Sequence, residues 1–163
     1  MIRPVTKTHN EHGFTLIELL ILGVVVCILA TLVATTYNGV QAKNRNESRQ
    51  DSLAVVQDQL EAYYAQNSKY PNLAELNNPV WRKANLENLP VSDVQDPQWN
   101  NHVTACTVNG QAAFSSKPTA KCYSYQATTT DGSACATANV ACAQYTLTAS
   151  LEGGEKYVKS SLN

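Results

Sequence analysis

The sequence carries almost no net charge, none of the familiar catalytic motifs and no closely spaced cysteine pair. Its 12 basic and 13 acidic residues leave a formal charge of -1, which gives no reason to expect a nucleic-acid groove or a nucleic-acid partner. There is no Gly-x-Ser-x-Gly, no His-Glu-x-x-His and no phosphate-cradling glycine loop, so the enzyme classes those patterns serve are not indicated. Of the three histidines only His102 lies beyond the first twelve residues, and it reads as a loop residue, not a general base. Asp93 and Asp96 match no calcium-loop spacing. The expectation is a non-enzymatic chain with no catalytic residue, no bound metal and no cofactor.

Cysteine is present but sparse. Cys27 lies in an apolar run and reads as an inert packing residue. Cys106, Cys122, Cys135 and Cys142 form an even set, which in an exported region reads as two disulfides. Four cysteines allow three connectivities. The nearest-neighbour pairs Cys106–Cys122 and Cys135–Cys142 are favoured. Zinc is the weaker rival, because no Cys-x-x-Cys exists and only His102 lies near.

What the chain does have is one long apolar stretch, from Phe14 to about Tyr37. A bilayer needs about 20 such residues. The stretch holds a single charge, Glu18. A carboxylate at the bilayer centre costs roughly 2.5–3.5 kcal/mol. Glu18 would sit only about 6 Å along the helix from Phe14, at ~1.5 Å per residue, so its cost is lower. One reading has Glu18 snorkel to the interface. The other has it await a cation from another molecule.

Gly13 followed by Phe14-Thr15-Leu16-Ile17-Glu18, after a short polar leader with Arg3 and Lys7, resembles the processing motif of type IV pilins and pseudopilins. The resemblance is strong over the first third of the chain and loose beyond it. It implies that a membrane-bound prepilin peptidase cuts after Gly13 and methylates the new terminal residue, Phe14. It also implies that Glu18 meets the amino group of a neighbouring subunit's Phe14 as a helical homopolymer grows. A new positive charge at an apolar helix end and a stranded carboxylate are complementary. The implied partners are further copies of the chain, the peptidase, an assembly platform, a motor ATPase and the membrane. The implied product is a type IV pilus. The alternatives are a pseudopilin of a type II secretion or DNA-uptake machine, or a minor pilin. An ordinary single-pass anchored enzyme or binding module is the rival from another class.

In an ordinary secretory signal the apolar region precedes the cut. Here it follows Gly13, so cutting would leave the protein anchored. Arg3 and Lys7 favour a cytoplasmic amino terminus, although Lys43, Arg45 and Arg49 on the far side weaken that bias. The cysteines place the carboxy-terminal part outside. The expected localisation is the cytoplasmic membrane as precursor, then an extracellular fibre.

Beyond Tyr37, Leu53, Val56, Leu60, Tyr63 and Tyr64 recur at helical spacing, with Asp51, Asp58 and Glu61 on the other face and its flank. A helix from Phe14 to about Gln66 would span roughly 80 Å. Its weak point is Asn38-Gly39, a turn signal; the alternative is two helices joined there. The segment Gln41 to Gln50 is polar on nearly every face. Many pilins have a proline near the position that Thr35 occupies here.

From Tyr70 to Asn101 the chain reads as turns and short helices. Asn72 with Glu75 forms a capping-box pattern, and Asn78-Pro79 starts a second turn. Trp81 and Trp99 are expected to pack this loop onto the domain; the alternative is that one is an exposed contact to a neighbouring subunit. Strands are expected over Val103–Val108 and Gln111–Phe114 around Asn109-Gly110, then Cys122–Thr128, Ala143–Ala149 and Lys156–Lys159. The fold class is α+β: a long amino-terminal helix packed on a small antiparallel meander. The divisions are leader 1–13, membrane or filament-core helix 14–37, amphipathic helix 38–67 and head 68–163. About 125 residues remain after leader and span, enough for one small domain.

Overall fold

The structure, a computed structural model, describes residues 13–135 and 140–163. Arg3, Lys7, His9 and His12, of the expected leader, lie outside them. The chain forms two compact units, Met1–Gln41 and Ala42–Asn163.

The first unit contains the opening part of helix α1 (Leu16–Asn67). All residues from 13 to 32 are exposed. By length and composition this helix could cross a membrane. Exposed leucine, isoleucine and valine in an unbroken run are what a lipid or protein surface must cover. The helix continues through Asn38-Gly39, so the two-helix alternative is not adopted. The roughly 1 kcal/mol cost of an interior glycine is tolerated.

The second unit is an α+β head whose core includes the later part of α1. Leu53, Val56, Leu60 and Tyr63 supply its buried stripe, at the spacing expected of one helix face. Helix α1 ends with Ser68 in the left-handed region, φ +53°, its N–H donating to Tyr64 O at 2.7 Å. Helix α2 (Leu73–Asn77) opens with the full capping box, in which Asn72 Oδ1 accepts from Glu75 N and Glu75 Oε2 from Asn72 N, both at 2.9 Å. Helix α3 (Pro79–Asn85) is capped by the Asn78 side chain, with proline at its first position. A 3-10 turn over Val91–Val94 follows.

Strands β1 (Thr107–Val108) and β2 (Gln111–Ala112) form a minimal hairpin. Its turn residues have φ +51° at Asn109 and +76° at Gly110, the paired positive angles that favour Asn-Gly. Both strands are shorter than the sequence suggests. Thr104–Cys106 is a 3-10 turn, held by Thr107 Oγ1 donating to Val103 O at 2.7 Å. At the other end Asn77 replaces a partner strand: Phe114 N donates to its Oδ1 at 2.7 Å, and its Nδ2 donates to Phe114 O at 2.9 Å. Asn77 is therefore a structural bridge between α2 and the end of β2.

Strands β3 (Tyr123–Thr128), β4 (Gln144–Ser150) and β5 (Lys156–Ser160) make an antiparallel sheet in that order. Tyr125 lies opposite Leu147, and Leu147 opposite Lys159. Tyr123, Tyr125, Tyr145 and Leu147 join the α1 stripe in one core. A tyrosine chain runs through it, Tyr64–Tyr70–Tyr145–Tyr125, with centroids 4.5, 4.7 and 5.8 Å apart.

Candidate functional site

The site indicated by the sequence is the start of α1. Gly13 and Phe14 are non-helical and exposed, Phe14 at 78%. The helix begins one residue after Thr15, and Thr15-Leu16-Ile17-Glu18 forms a reciprocal cap. Thr15 N and Thr15 Oγ1 donate to Glu18 Oε2, and Glu18 N donates to Thr15 Oγ1, all at 3.3 Å. This is a capping-box arrangement, with the carboxylate at the positive end of the helix dipole. The sequence reading offered snorkelling or an intermolecular cation and missed this third option. Its signal was present in the spacing of Thr15 and Glu18. Glu18 Oε1 has no partner among the described residues, so the carboxylate keeps one oxygen for a further donor.

The cysteines belong to the head. Cys106 bonds Cys122 and Cys135 bonds Cys142, the nearest-neighbour pairs, which leaves these four without a thiolate for zinc. Cys27 is free and exposed along with the run that contains it. Among the described residues no group of three or more His, Cys, Asp or Glu side chains could hold a metal. Asp96 is engaged by an arginine, Asp93 Oδ1 accepts from Ser52 Oγ at 3.3 Å, and His102 lies exposed in a loop. Trp81 packs edge-on against Tyr63 at 5.1 Å, and Trp99 Nε1 donates to Thr107 Oγ1 at 3.3 Å.

Two polar clusters were not foreseen. The first lies within Gln41–Gln50, the segment polar on nearly every face. Arg49 is 1% exposed and grips Asp96 with two bonds, Nε to Oδ2 at 2.7 Å and Nη2 to Oδ1 at 3.2 Å. Arg45 pairs with Glu152 in the β4–β5 turn. Asn46 Oδ1 accepts from Glu152 N at 2.8 Å. Hydrogen bonding from Arg45 holds the Glu152 carboxyl below the usual carboxylate range. Arg45 and Arg49, weighed as loose charges against the topology bias, are bound to carboxylates of the head.

The second centres on Glu61, placed by its spacing on the face opposite the apolar stripe or its flank. Its oxygens accept from Tyr145 OH and Tyr70 OH, each at 2.8 Å, and from Leu162 N and Asn163 Nδ2, each at 3.2 Å. Two buried phenols need acceptors, and one carboxylate serves both. Burial raises Tyr70 to about 12, and it lifts Tyr145 and Tyr125 well above the ordinary phenol value.

The described chain is thus an apolar, exposed, carboxylate-bearing helix segment that continues into a disulfide-bonded α+β head. The type II secretion system core protein G of Dickeya chrysanthemi is 31% identical to this chain over 63 residues. The match covers 39% of this chain and 41% of that protein, so less than half of that relative is spanned. The similarity supports a pilin-like family. No family model and no solved structure matches.

Proposed function

We propose that the chain is a structural, non-enzymatic subunit of a pilin-like filament, polymerised through the exposed apolar part of α1. It is made as a membrane-anchored precursor, cut after Gly13 and methylated on Phe14. The observation that carries this reading is Glu18, one charge at the head of the apolar, exposed opening part of α1, with one oxygen unengaged among the described residues. Cutting at Gly13 places an ammonium on Phe14, next to the Thr15 N–H that caps Glu18 within the chain. In a fibre, the Phe14 ammonium of a neighbouring copy takes the free oxygen, offsetting the cost of a carboxylate in an apolar surround. The head carries the disulfides outside the cytoplasmic membrane. A prepilin peptidase, an assembly platform and a motor ATPase are the partners of such a subunit.

Similarity to a type II secretion core protein favours the pseudopilin branch over a type IV pilus. The test for assembly is Glu18→Ala with the precursor's processing followed in parallel. Normal cutting with loss of filaments is expected; normal filaments overturn the reading. Abundance then separates the branches. A pilus subunit dominates material sheared from the cell surface, and a secretion pseudopilin does not.

A further inference from the structure

Away from α1's amino-terminal end, the head carries a groove of about 370 Å³ between the last turns of α1 and the loop after α3. Its lining is dominated by carboxamides: Gln59, Gln66, Asn67, Asn85 and Asn88, beside Glu87. Among the described residues, Glu87 is the one charged residue lining it. We propose that this groove binds a neutral carbohydrate unit, one or two sugar rings in size.

A carboxamide presents an acceptor and two donors, and a sugar hydroxyl is likewise donor and acceptor at once. A wall of amides therefore matches a polyol at several points. The lining offers no cation, so it has nothing to neutralise a phosphate or carboxylate ligand. It is too polar for an apolar ligand to gain by entering it. Its volume lies at the small end of the range of about 300–1,000 Å³ usual for ligand sites.

Two of the amides are held in place. Asn67 Nδ2 donates to Tyr63 O and Asn85 Nδ2 to Trp81 O, each at 2.9 Å and each four residues back along its own helix. Their Oδ1 atoms are thereby fixed as acceptors. Tyr63, against which Trp81 packs, backs the groove at 7% exposure. Gln59, Gln66 and Asn88 make no side-chain hydrogen bond among the described residues. A sugar would exchange with water there and break no internal bond, which keeps the desolvation cost low.

The test uses the full chain in a phosphocholine detergent, because glycosidic detergents would occupy the groove. Maltose, lactose and N,N'-diacetylchitobiose are titrated while the side-chain amide resonances of Gln59, Gln66, Asn67, Asn85 and Asn88 are followed. The expected result is saturable movement of these signals with at least one sugar, at millimolar affinity, about 4 kcal/mol. Affinity should weaken about tenfold in Asn88→Ala and in Gln66→Ala. Both positions are exposed, so their other resonances should stay in place. Retention on beads carrying the same sugar separates a surface glycan from a free sugar as the source. Either source supports the proposal. Absence of saturable movement with all three probes, or movement unchanged in both variants, overturns it.

Discussion

Arg49 and Arg45 stand one helical turn apart, both meet Glu152, and yet they should matter very differently. Arg49 and its partner Asp96 have side chains 2% and 1% exposed, whereas Arg45 and Glu152 are about a quarter exposed, at 27% and 25%. Removing one member of a buried pair leaves a charge without compensation, a loss of about 3–5 kcal/mol. A pair that solvent reaches contributes far less, because water and salt screen it. Urea unfolding of the head should therefore show Arg49→Ala strongly destabilised and Arg45→Ala nearly unchanged; equal effects would refute the distinction. The buried phenols give a second expectation at this scale. Tyr70 and Tyr123 are raised to about 12, chiefly by burial, while an unfolded tyrosine titrates near 10. Their contribution is thus complete below about pH 10 and is lost as pH climbs from about 10 to 12. Each costs the head up to about 1.4 kcal/mol per pH unit in that window. The tyrosinate absorbance that Tyr70→Phe and Tyr123→Phe remove should develop together with the change in circular dichroism there; phenolate forming at either position near pH 10 in an intact head would contradict it.

Among the elements, the helix and the three-stranded sheet were legible because their signals are local and periodic. The α1 stripe from Leu53 to Tyr63, the Asn72–Glu75 box and the Asn109-Gly110 turn all sit where the residue pattern puts them. What the pattern hid was polar and long-range. Glu61 looks like a solvated helix residue until β4 brings Tyr145 to it across 84 positions. Asn77 ends β2 by copying a strand's backbone bonds, and no spacing rule announces that. The disulfides test how the elements are tied. Cys106–Cys122 joins residues 16 apart and Cys135–Cys142 residues 7 apart. Closing the longer loop should stabilise the head by about 3 kcal/mol, and the shorter by somewhat less, about 2 kcal/mol. Paired Cys→Ser variants compared by urea denaturation should rank in that order. The reverse ranking would mean that loop closure is not what these bonds mainly supply.

At the scale of the molecule, the division between Gln41 and Ala42 separates two kinds of burial. Every member of the hydrophobic cluster, from Leu53 to Ala149, lies in the second unit, as do Arg45, Arg49 and their carboxylates. The described apolar side chains from Phe14 to Leu32 are exposed, so they contribute nothing to the core. A fragment comprising residues 42–163 should therefore fold alone, form both disulfides and unfold cooperatively within about 1 kcal/mol of the head in the full chain, since separate sites are nearly additive. It should also stay monomeric without detergent, because the surface proposed to drive association has been removed. Sedimentation of the fragment beside the detergent-solubilised full chain, each with an unfolding curve, checks both halves. A fragment that fails to fold would show that the head draws on the apolar helix for stability. One that folds and still polymerises would move the assembly surface from α1 to the head.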